Sequence, residues 1–233
     1  MIDGNKFLSI MYVLMLIRCA LEYSGDIFMK PDHSLNPSYL YIAGVLIFLG
    51  CSQFLIAMIV ASSLYPGYSI SRNYISDLGA TCRGGLCVVY QPSSIIFNSS
   101  SILLGALLIS GSLFIRRGGM DRLFQTMIFF TGIGSLGVGL FPESYGVLHT
   151  VSASIAFIFG ASAAIASYRV LTGYARFIAS AIGVLALVFL ALFITGYHLG
   201  LGPGGVERVL AYLELLFGVM LGGYLMGFNR SME

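Results

Sequence analysis

The sequence predicts an all-α fold, a polytopic bundle of transmembrane helices. Hydrophobic residues make up 58% of the 233 residues and charged residues 9%, whereas a water-soluble domain carries about 25% charged residues. Six apolar stretches are each long enough to cross a hydrocarbon core about 30 Å thick. Because so few charges cannot cover a soluble globule, we expect an integral membrane protein that crosses the bilayer several times.

Residues 1–38 are expected to form a separate N-terminal segment. An apolar run covers residues 7–21, but Arg18 and Glu22 interrupt its end, and its length is marginal for a membrane span. A seventh span and a helix on the membrane surface therefore both remain open. A cleaved signal peptide is less favoured because no small-x-small cleavage site follows the apolar run. Residues 39–228 are predicted to form the bundle and residues 229–233 a cytoplasmic tail.

The six predicted spans are bounded by Arg, Pro or Gly. The first contains Gln53 near its middle, where an amide is expected to hydrogen-bond a neighbouring helix. In the third, Gly132, Gly134 and Gly137 have the spacing of a dinucleotide fingerprint, but that fingerprint must follow a strand in a soluble fold. Inside a membrane helix, these glycines are expected to allow close helix packing. The spans are Tyr39–Tyr65, Ser94–Ile115, Leu123–Phe141, Gly146–Leu171, Phe177–Leu199 and Val206–Phe228.

Residues 65–80, between the first two spans, are predicted to contain a short amphipathic helix. Polar residues recur there at steps of three and four, which places them on one helical face, and apolar residues form a second stripe. Gly79 is a natural left-handed stop. The polar face consists of Ser69, Arg72, Asn73, Ser76 and Asp77, and the apolar stripe of Ile70, Tyr74 and Leu78.

Arginines mark alternate connections, at residues 116–122, at residues 169–176 and at Arg230 in the tail. Because short cytoplasmic loops retain an excess of Lys and Arg, we predict a cell-membrane protein whose C-terminus is cytoplasmic. Residues 66–92, 141–145 and 200–207 then lie on the outer face. The net charge of +2, without a basic run interleaved with aromatic residues, excludes nucleic acid as a partner.

Cys82 and Cys87 flank four residues of the first outer loop. This spacing can close a small disulfide ring in an oxidising compartment, and we predict that they are linked. Two free thiols are the alternative, and a metal pair is less favoured because no other Cys or His is nearby in sequence.

Polar side chains collect at the outer ends of the predicted spans, although they come from separate segments. Such groups are costly among lipid tails, so they are expected to line a shared outer pocket or else to face water. Arg208 is expected to neutralise Asp77 or Glu207. The candidate ligand-binding residues at this end are Arg72, Asn73, Ser76, Asp77, Asn98, Glu143, His149, His198, Glu207 and Arg208.

Glu214 is a further candidate, two helical turns from Glu207. A spacing of seven keeps both carboxyl groups on one face of a helix, and an ionised carboxylate so far from water is expensive. We therefore expect Glu214 to be protonated or paired. It is either a proton site or pocket floor, or a partner in a single interhelical hydrogen bond.

Several short motifs stand at the ends of these spans: Pro66-Gly67-Tyr68-Ser69, Tyr74-Ile75-Ser76-Asp77-Leu78-Gly79-Ala80, Ile96-Phe97-Asn98, Phe141-Pro142, Leu148-His149 and Gly205-Val206-Glu207-Arg208. With these motifs the sequence resembles, from about residue 39 to 228, the prokaryotic six-span family known as domain of unknown function 998. The resemblance implies a six-helix membrane fold and brings no established activity with it.

Three hypotheses for the function remain. The preferred one is a protein without a cofactor that binds a lipid-like amphiphile from the membrane, with Arg72 and Arg208 holding an anionic group. The second is an intramembrane hydrolase in which Asp77, His149 and His198 bind zinc, with Glu143 or Glu207 as base. The third is a structural subunit that associates with itself or with partner membrane proteins through its glycine-rich spans. Whether the protein is an enzyme is left open.

Overall fold

The computed structural model describes residues 35–227, and within them the protein is an all-α helical bundle. Six helices there are long and apolar enough to cross a membrane. They confirm the six predicted spans, whereas the candidate seventh span and the tail at residues 229–233 lie outside the described residues. The helices are α1 (Pro37–Leu64), α2 (Ser93–Arg117), α3 (Arg122–Leu140), α4 (Val147–Ala166, continued by a 3-10 turn at Ser167–Arg169), α5 (Gly173–Thr195) and α6 (Pro203–Gly227).

Local sequence signals define several helix ends. Asn36 caps α1, its side chain accepting a hydrogen bond from the Tyr39 N–H at 3.4 Å, and a proline opens the first turn. Asp121 caps α3 in the same way, accepting from the Phe124 N–H at 2.9 Å. Gly196 ends α5 in the left-handed conformation, with φ of 72°, which a residue without a Cβ adopts at little cost.

The six helices pack as a ring. Each helix contacts its neighbours in sequence, and α6 returns to pack against α1. Glycines allow these close approaches: a Cβ at Gly44 of α1 would lie 2.7 Å from the carbonyl oxygen of Gly222 in α6. The predicted packing role of the third-span glycines is confirmed, since a Cβ at Gly132 would meet the α2 backbone and one at Gly134 the α4 backbone.

The connection between α1 and α2 differs from the predicted amphipathic helix. Of residues 69–78, only Ser76–Leu78 are helical, as one 3-10 turn. Asn and Asp side chains compete for backbone N–H groups that a helix would use: Asn73 Oδ1 accepts from the Ser69 N–H at 3.0 Å, and Asp77 Oδ2 from the Tyr74 N–H at 2.9 Å. The segment therefore folds as a series of turns.

A small β-hairpin follows these turns. Its strands β1 (Thr81–Arg83) and β2 (Leu86–Val88) are antiparallel, and Cys82 lies opposite Cys87. The two cysteines are joined by a disulfide. The hairpin, the 141–146 turn and the 196–202 turn share one end of the bundle, which we call the disulfide end.

Candidate ligand-binding cavity

The ring of helices encloses a cavity of about 110 Å³. By the same measure of volume, one water needs about 10–15 Å³, so the cavity has room for several waters or for a small apolar group. Five helices and the 65–92 connection form its wall, and α5 contributes no lining residue among the described residues. Most of the wall is aliphatic or aromatic, including Phe54, Phe97, Phe157 and Phe217. A largely apolar concave space with few polar groups is typical of small-molecule sites.

Hydroxyl groups on the α2 and α3 walls are already satisfied by backbone carbonyls. Ser101 Oγ donates to the Ser135 carbonyl at 2.7 Å, and Ser135 Oγ to the Thr131 carbonyl at 2.9 Å. Their donors are therefore not available to a ligand. The ionisable oxygen and nitrogen groups on the wall are the carboxyls of Glu207 and Glu214 and the imidazole of His149.

Glu207 lies at the disulfide end of the cavity, in the second turn of α6, and its side chain is buried. Its Oε2 accepts a hydrogen bond of 2.5 Å from the backbone N–H of Ile75, which is also a lining residue. The carboxyl therefore joins the 65–92 connection to the bundle. This bond places Ile75 and Ser76 across the end of the cavity.

Glu214 lines the same cavity two turns further along α6, about 10 Å deeper by helical rise. The absence of a side chain at Gly160 of α4 provides its space, because a Cβ there would collide with the Glu214 carboxyl group. One carboxyl oxygen, Oε1, is buried and has no hydrogen-bond partner among the described residues. Cys51 of α1, a free thiol, lines the same space.

His149 reaches the cavity from the first turn of α4 and is buried. Its Nδ1 lies 2.8 Å from the carbonyl oxygen of Phe141. Because a carbonyl can only accept, Nδ1 carries the proton, and the other ring nitrogen of the neutral imidazole is an acceptor.

Asp77 does not line the cavity but is buried within the disulfide end. Arg83 Nη2 donates to both of its carboxylate oxygens, at 2.8 and 3.0 Å, and Asn73 Nδ2 donates to it at 3.0 Å. Arg83 Nη1 also donates to Glu143 at 2.9 Å, and Glu143 accepts from the Cys82 N–H at 3.2 Å. Arg83, whose role the sequence did not indicate, therefore connects the hairpin, the 65–80 turns and the 141–146 turn.

The two charged partners at the surface of this network have shifted pKa values. Burial, with a further contribution from nearby Asp77, raises the pKa of Glu143, although the Cys82 N–H and the Arg83 guanidinium lower it. For Arg83, partial burial lowers the pKa, but Asp77 and Glu143 together raise it further, so the net direction is upward. Arg83 is thus held in its charged form by two carboxylates.

We expected Arg208 to neutralise Asp77 or Glu207, but among the described contacts it forms an ion pair with neither carboxylate. Its Nη1 donates to the carbonyl oxygens of Ile70, Asn73 and Gly204 at 2.9 to 3.0 Å, and its Nη2 donates to the Tyr68 hydroxyl. The Ile70 and Asn73 carbonyls accept no backbone hydrogen bond among the described residues, and the guanidinium supplies their donor. Arg208 therefore clamps the 65–80 turns onto the start of α6.

The remaining predicted site residues do not line the cavity. Arg72 is exposed, and Asn98 lies beside Gly79, donating from Nδ2 to Ser94 Oγ at 3.1 Å. His198 is half-buried in the turn after α5, and its Nδ1 has no partner among the described residues.

The proposed zinc ligands do not form a metal site. Across residues 35–227, no three His, Cys, Asp or Glu side chains lie together in a group that could hold a metal ion. Of the candidate set Asp77, His149 and His198, the first accepts from Arg83 and the second donates to the Phe141 carbonyl.

Comparison with known proteins places the chain in a family. Neither the curated proteins nor the solved structures include a match to it. Residues 48–224, well over half of the sequence, match the family described as protein of unknown function, DUF998. This chain, which folds as a six-span bundle around a cavity, is therefore a member of the DUF998 family.

Proposed function

We propose that this protein binds the apolar part of a small amphiphile in the cavity at the centre of the helical ring. The observation that carries the proposal is the largely apolar wall, interrupted by the Glu207 and Glu214 carboxyls on α6 and by the His149 imidazole at the start of α4. Such a wall favours an alkyl or aromatic group, and the few polar groups orient the molecule. Membrane lipids and molecules dissolved in the bilayer are the available amphiphiles.

The polar end of the ligand is assigned to the carboxyl side of the cavity rather than to arginines. Arg72 is exposed outside the cavity, and the Arg208 donors are directed at backbone carbonyls and at Tyr68. With the arginine-rich connections cytoplasmic, as the positive-inside rule requires, the disulfide end faces outward and the ligand enters from the outer leaflet. Binding, without a metal-dependent reaction, fits the arrangement of the described residues best.

Tryptophan fluorescence can test this proposal, because the natural chain contains no Trp. Phe157→Trp places a reporter on the cavity wall, and Phe177→Trp places a matched reporter on α5, where the Phe side chain is exposed and is not among the residues that line this cavity. In phosphatidylcholine nanodiscs, 1-bromooctane is expected to quench the cavity reporter to saturation. Quenching of the α5 reporter should rise in proportion to the bromooctane dissolved in the lipid.

A cavity-filling variant provides the second arm. Ala153 lines the cavity, whereas Ala181 lies exposed on α5. Ala153→Phe in the Phe157→Trp background should remove the saturable component, and Ala181→Phe should preserve it. Quenching of the cavity reporter that simply parallels quenching of the α5 reporter would refute binding in the cavity.

A further inference from the structure

The cavity wall carries acidic groups without a basic partner. Glu207 and Glu214 both line it, whereas no Arg or Lys does so within the described residues. The nearest arginine in sequence, Arg208, is directed away to the 65–80 turns, and Arg83 is shared by Asp77 and Glu143. Among the described residues, neither cavity carboxyl therefore forms an ion pair with a basic side chain.

Apart from the Ser76 hydroxyl and the weakly donating Cys51 thiol, the polar groups that this wall offers to a ligand are acceptors. One Glu207 oxygen already accepts from Ile75, and Glu214 Oε1 accepts from no described residue. His149 uses its Nδ1 proton for the Phe141 carbonyl, so its neutral ring offers an acceptor. A ligand that supplies donors satisfies such a wall, whereas one that supplies further acceptors leaves it unsatisfied.

The charge of the cavity wall also favours a ligand that supplies hydrogen-bond donors. An ionised carboxylate is costly in the interior of a membrane protein unless a cation compensates it. A ligand carboxylate or phosphate would add a like charge to this space. A protonated amine would neutralise one carboxyl and can donate up to three hydrogen bonds.

We infer that the ligand is a cationic amphiphile whose protonated amine lies against Glu214, with its apolar part along the aromatic wall. Each of the two carboxyls accepts one backbone hydrogen bond, Glu207 from Ile75 and Glu214 from Ala161. Glu214 is favoured because its Oε1 is buried without a partner among the described residues, whereas Glu207 lies nearer the end of the cavity. This inference rests on the proposed function and specifies the class of ligand.

Competition in the Phe157→Trp protein tests the ligand class. Octylamine, octanol and octanoate share one chain and differ in head group, and each competes with 1-bromooctane at neutral pH in phosphatidylcholine nanodiscs. Octylamine should displace the quencher at a concentration at least about tenfold below octanol, equivalent to about 1.4 kcal/mol, and octanoate should be the weakest. Octanoate equal to or better than octylamine would overturn the inference while leaving cavity binding intact. Absence of saturable quenching would instead overturn the proposed function.

A charge variant tests the position of the amine. Glu214→Gln should abolish the advantage of octylamine over octanol in displacing the quencher. The concentration of octanol needed for displacement should change by less than about threefold, since an amide of equal shape retains the cavity. Asp121→Asn is the matched control, because it removes one carboxylate at the opposite end of the bundle and keeps a residue able to cap α3. An undiminished octylamine advantage in Glu214→Gln would exclude Glu214 as the amine partner. If that variant does not fold, the comparison of the three head groups in the protein with both cavity carboxyls remains decisive.

The source of the amine is tested by lysophosphatidylethanolamine. Its ammonium is accompanied by a phosphate, for which the described cavity wall has no basic side chain. We therefore expect it to compete more weakly than octylamine. Competition equal to that of octylamine would overturn the assignment to a phosphate-free amine.

Discussion

Replacement of Arg208 by Met should detach the 65–80 turns from α6. The guanidinium is buried and donates to the carbonyls of Ile70, Asn73 and Gly204 and to the Tyr68 hydroxyl. A methionine keeps an unbranched apolar stem, but it is shorter than arginine and has no donor. The backbone acceptors would then lose their partner at a position that water reaches poorly.

The expected loss follows from these contacts. Leaving a buried acceptor without a partner costs about 1–3 kcal/mol, and this cost applies to the part-buried Ile70 and Asn73 carbonyls. The Gly204 carbonyl, in the first turn of α6, keeps its helical backbone bond. Removal of the guanidinium also relieves its own desolvation penalty. We therefore expect a decrease in the free energy of unfolding of about 3 kcal/mol.

Unfolding in mixed dodecylmaltoside and SDS micelles, followed by circular dichroism, measures this change. Arg72→Met is the matched control, since Arg72 is exposed in the same connection, and surface substitutions stay within about 0.5 kcal/mol. Hydrogen exchange gives a local readout: the Ile75 N–H, bonded to Glu207, should exchange faster in Arg208→Met. Equal stability of the two variants, with unchanged exchange at Ile75, would refute the clamp.

Four further predictions concern packing, pH, redox state and topology. Gly105→Ala should destabilise the bundle by about 1–3 kcal/mol because its Cβ would collide with the α3 backbone. Gly223→Ala, whose Cβ would have nothing within 4 Å, should be neutral or slightly stabilising. Equal effects of the two variants in thermal unfolding would contradict the α2–α3 packing. The pKa of Glu143 is raised in the folded protein, so its contribution to stability is greatest below its ordinary pKa and is lost as pH rises through the folded value. The stability of the natural protein relative to Glu143→Gln should therefore fall from acid to neutral pH. A rise would contradict the assigned direction of the pKa shift. Peptide mapping without reductant should recover Cys82 and Cys87 as one linked pair from freshly isolated membranes; two free thiols would disprove the bond. A cysteine introduced at Gly118 should resist impermeant reagents in intact cells, and modification there would invert the proposed orientation.

The 65–80 segment shows where the prediction from sequence was wrong. Its polar residues do recur at helical steps, but periodicity does not reveal what a side chain bonds to. Asn73 and Asp77 use their short side chains on nearby backbone N–H groups, and Arg208, 135 positions from Asn73, supplies donors for the carbonyls of the segment. These bonds favour turns over a helix in this segment. One of the partners, Arg208, is distant in the chain, so its contribution could not be predicted from the local pattern.

The carboxyl groups of α6 show the opposite case. Glu207 and Glu214 were predicted to share a face from a spacing of seven, and both line the cavity, because helical geometry within one element follows directly from residue number. Their surroundings could not be predicted in this way. Gly160, which makes room for Glu214, and Ile75, which donates to Glu207, belong to other segments.

Composition and apolar length determined by themselves that this chain forms six membrane-length helices, since lipid leaves the backbone few other ways to satisfy its hydrogen bonds. The ends of these helices were largely determined too, through local caps and glycines. Only the tertiary structure decided which arginine forms an ion pair with which carboxylate. Arg83 pairs with Asp77, whereas Arg208 donates to backbone carbonyls. The physical reason is that contacts between distant segments determine which groups are buried, where a glycine leaves space for a neighbour, and which carbonyls lack a backbone partner. The same contacts leave an acidic, largely apolar cavity at the centre of the ring.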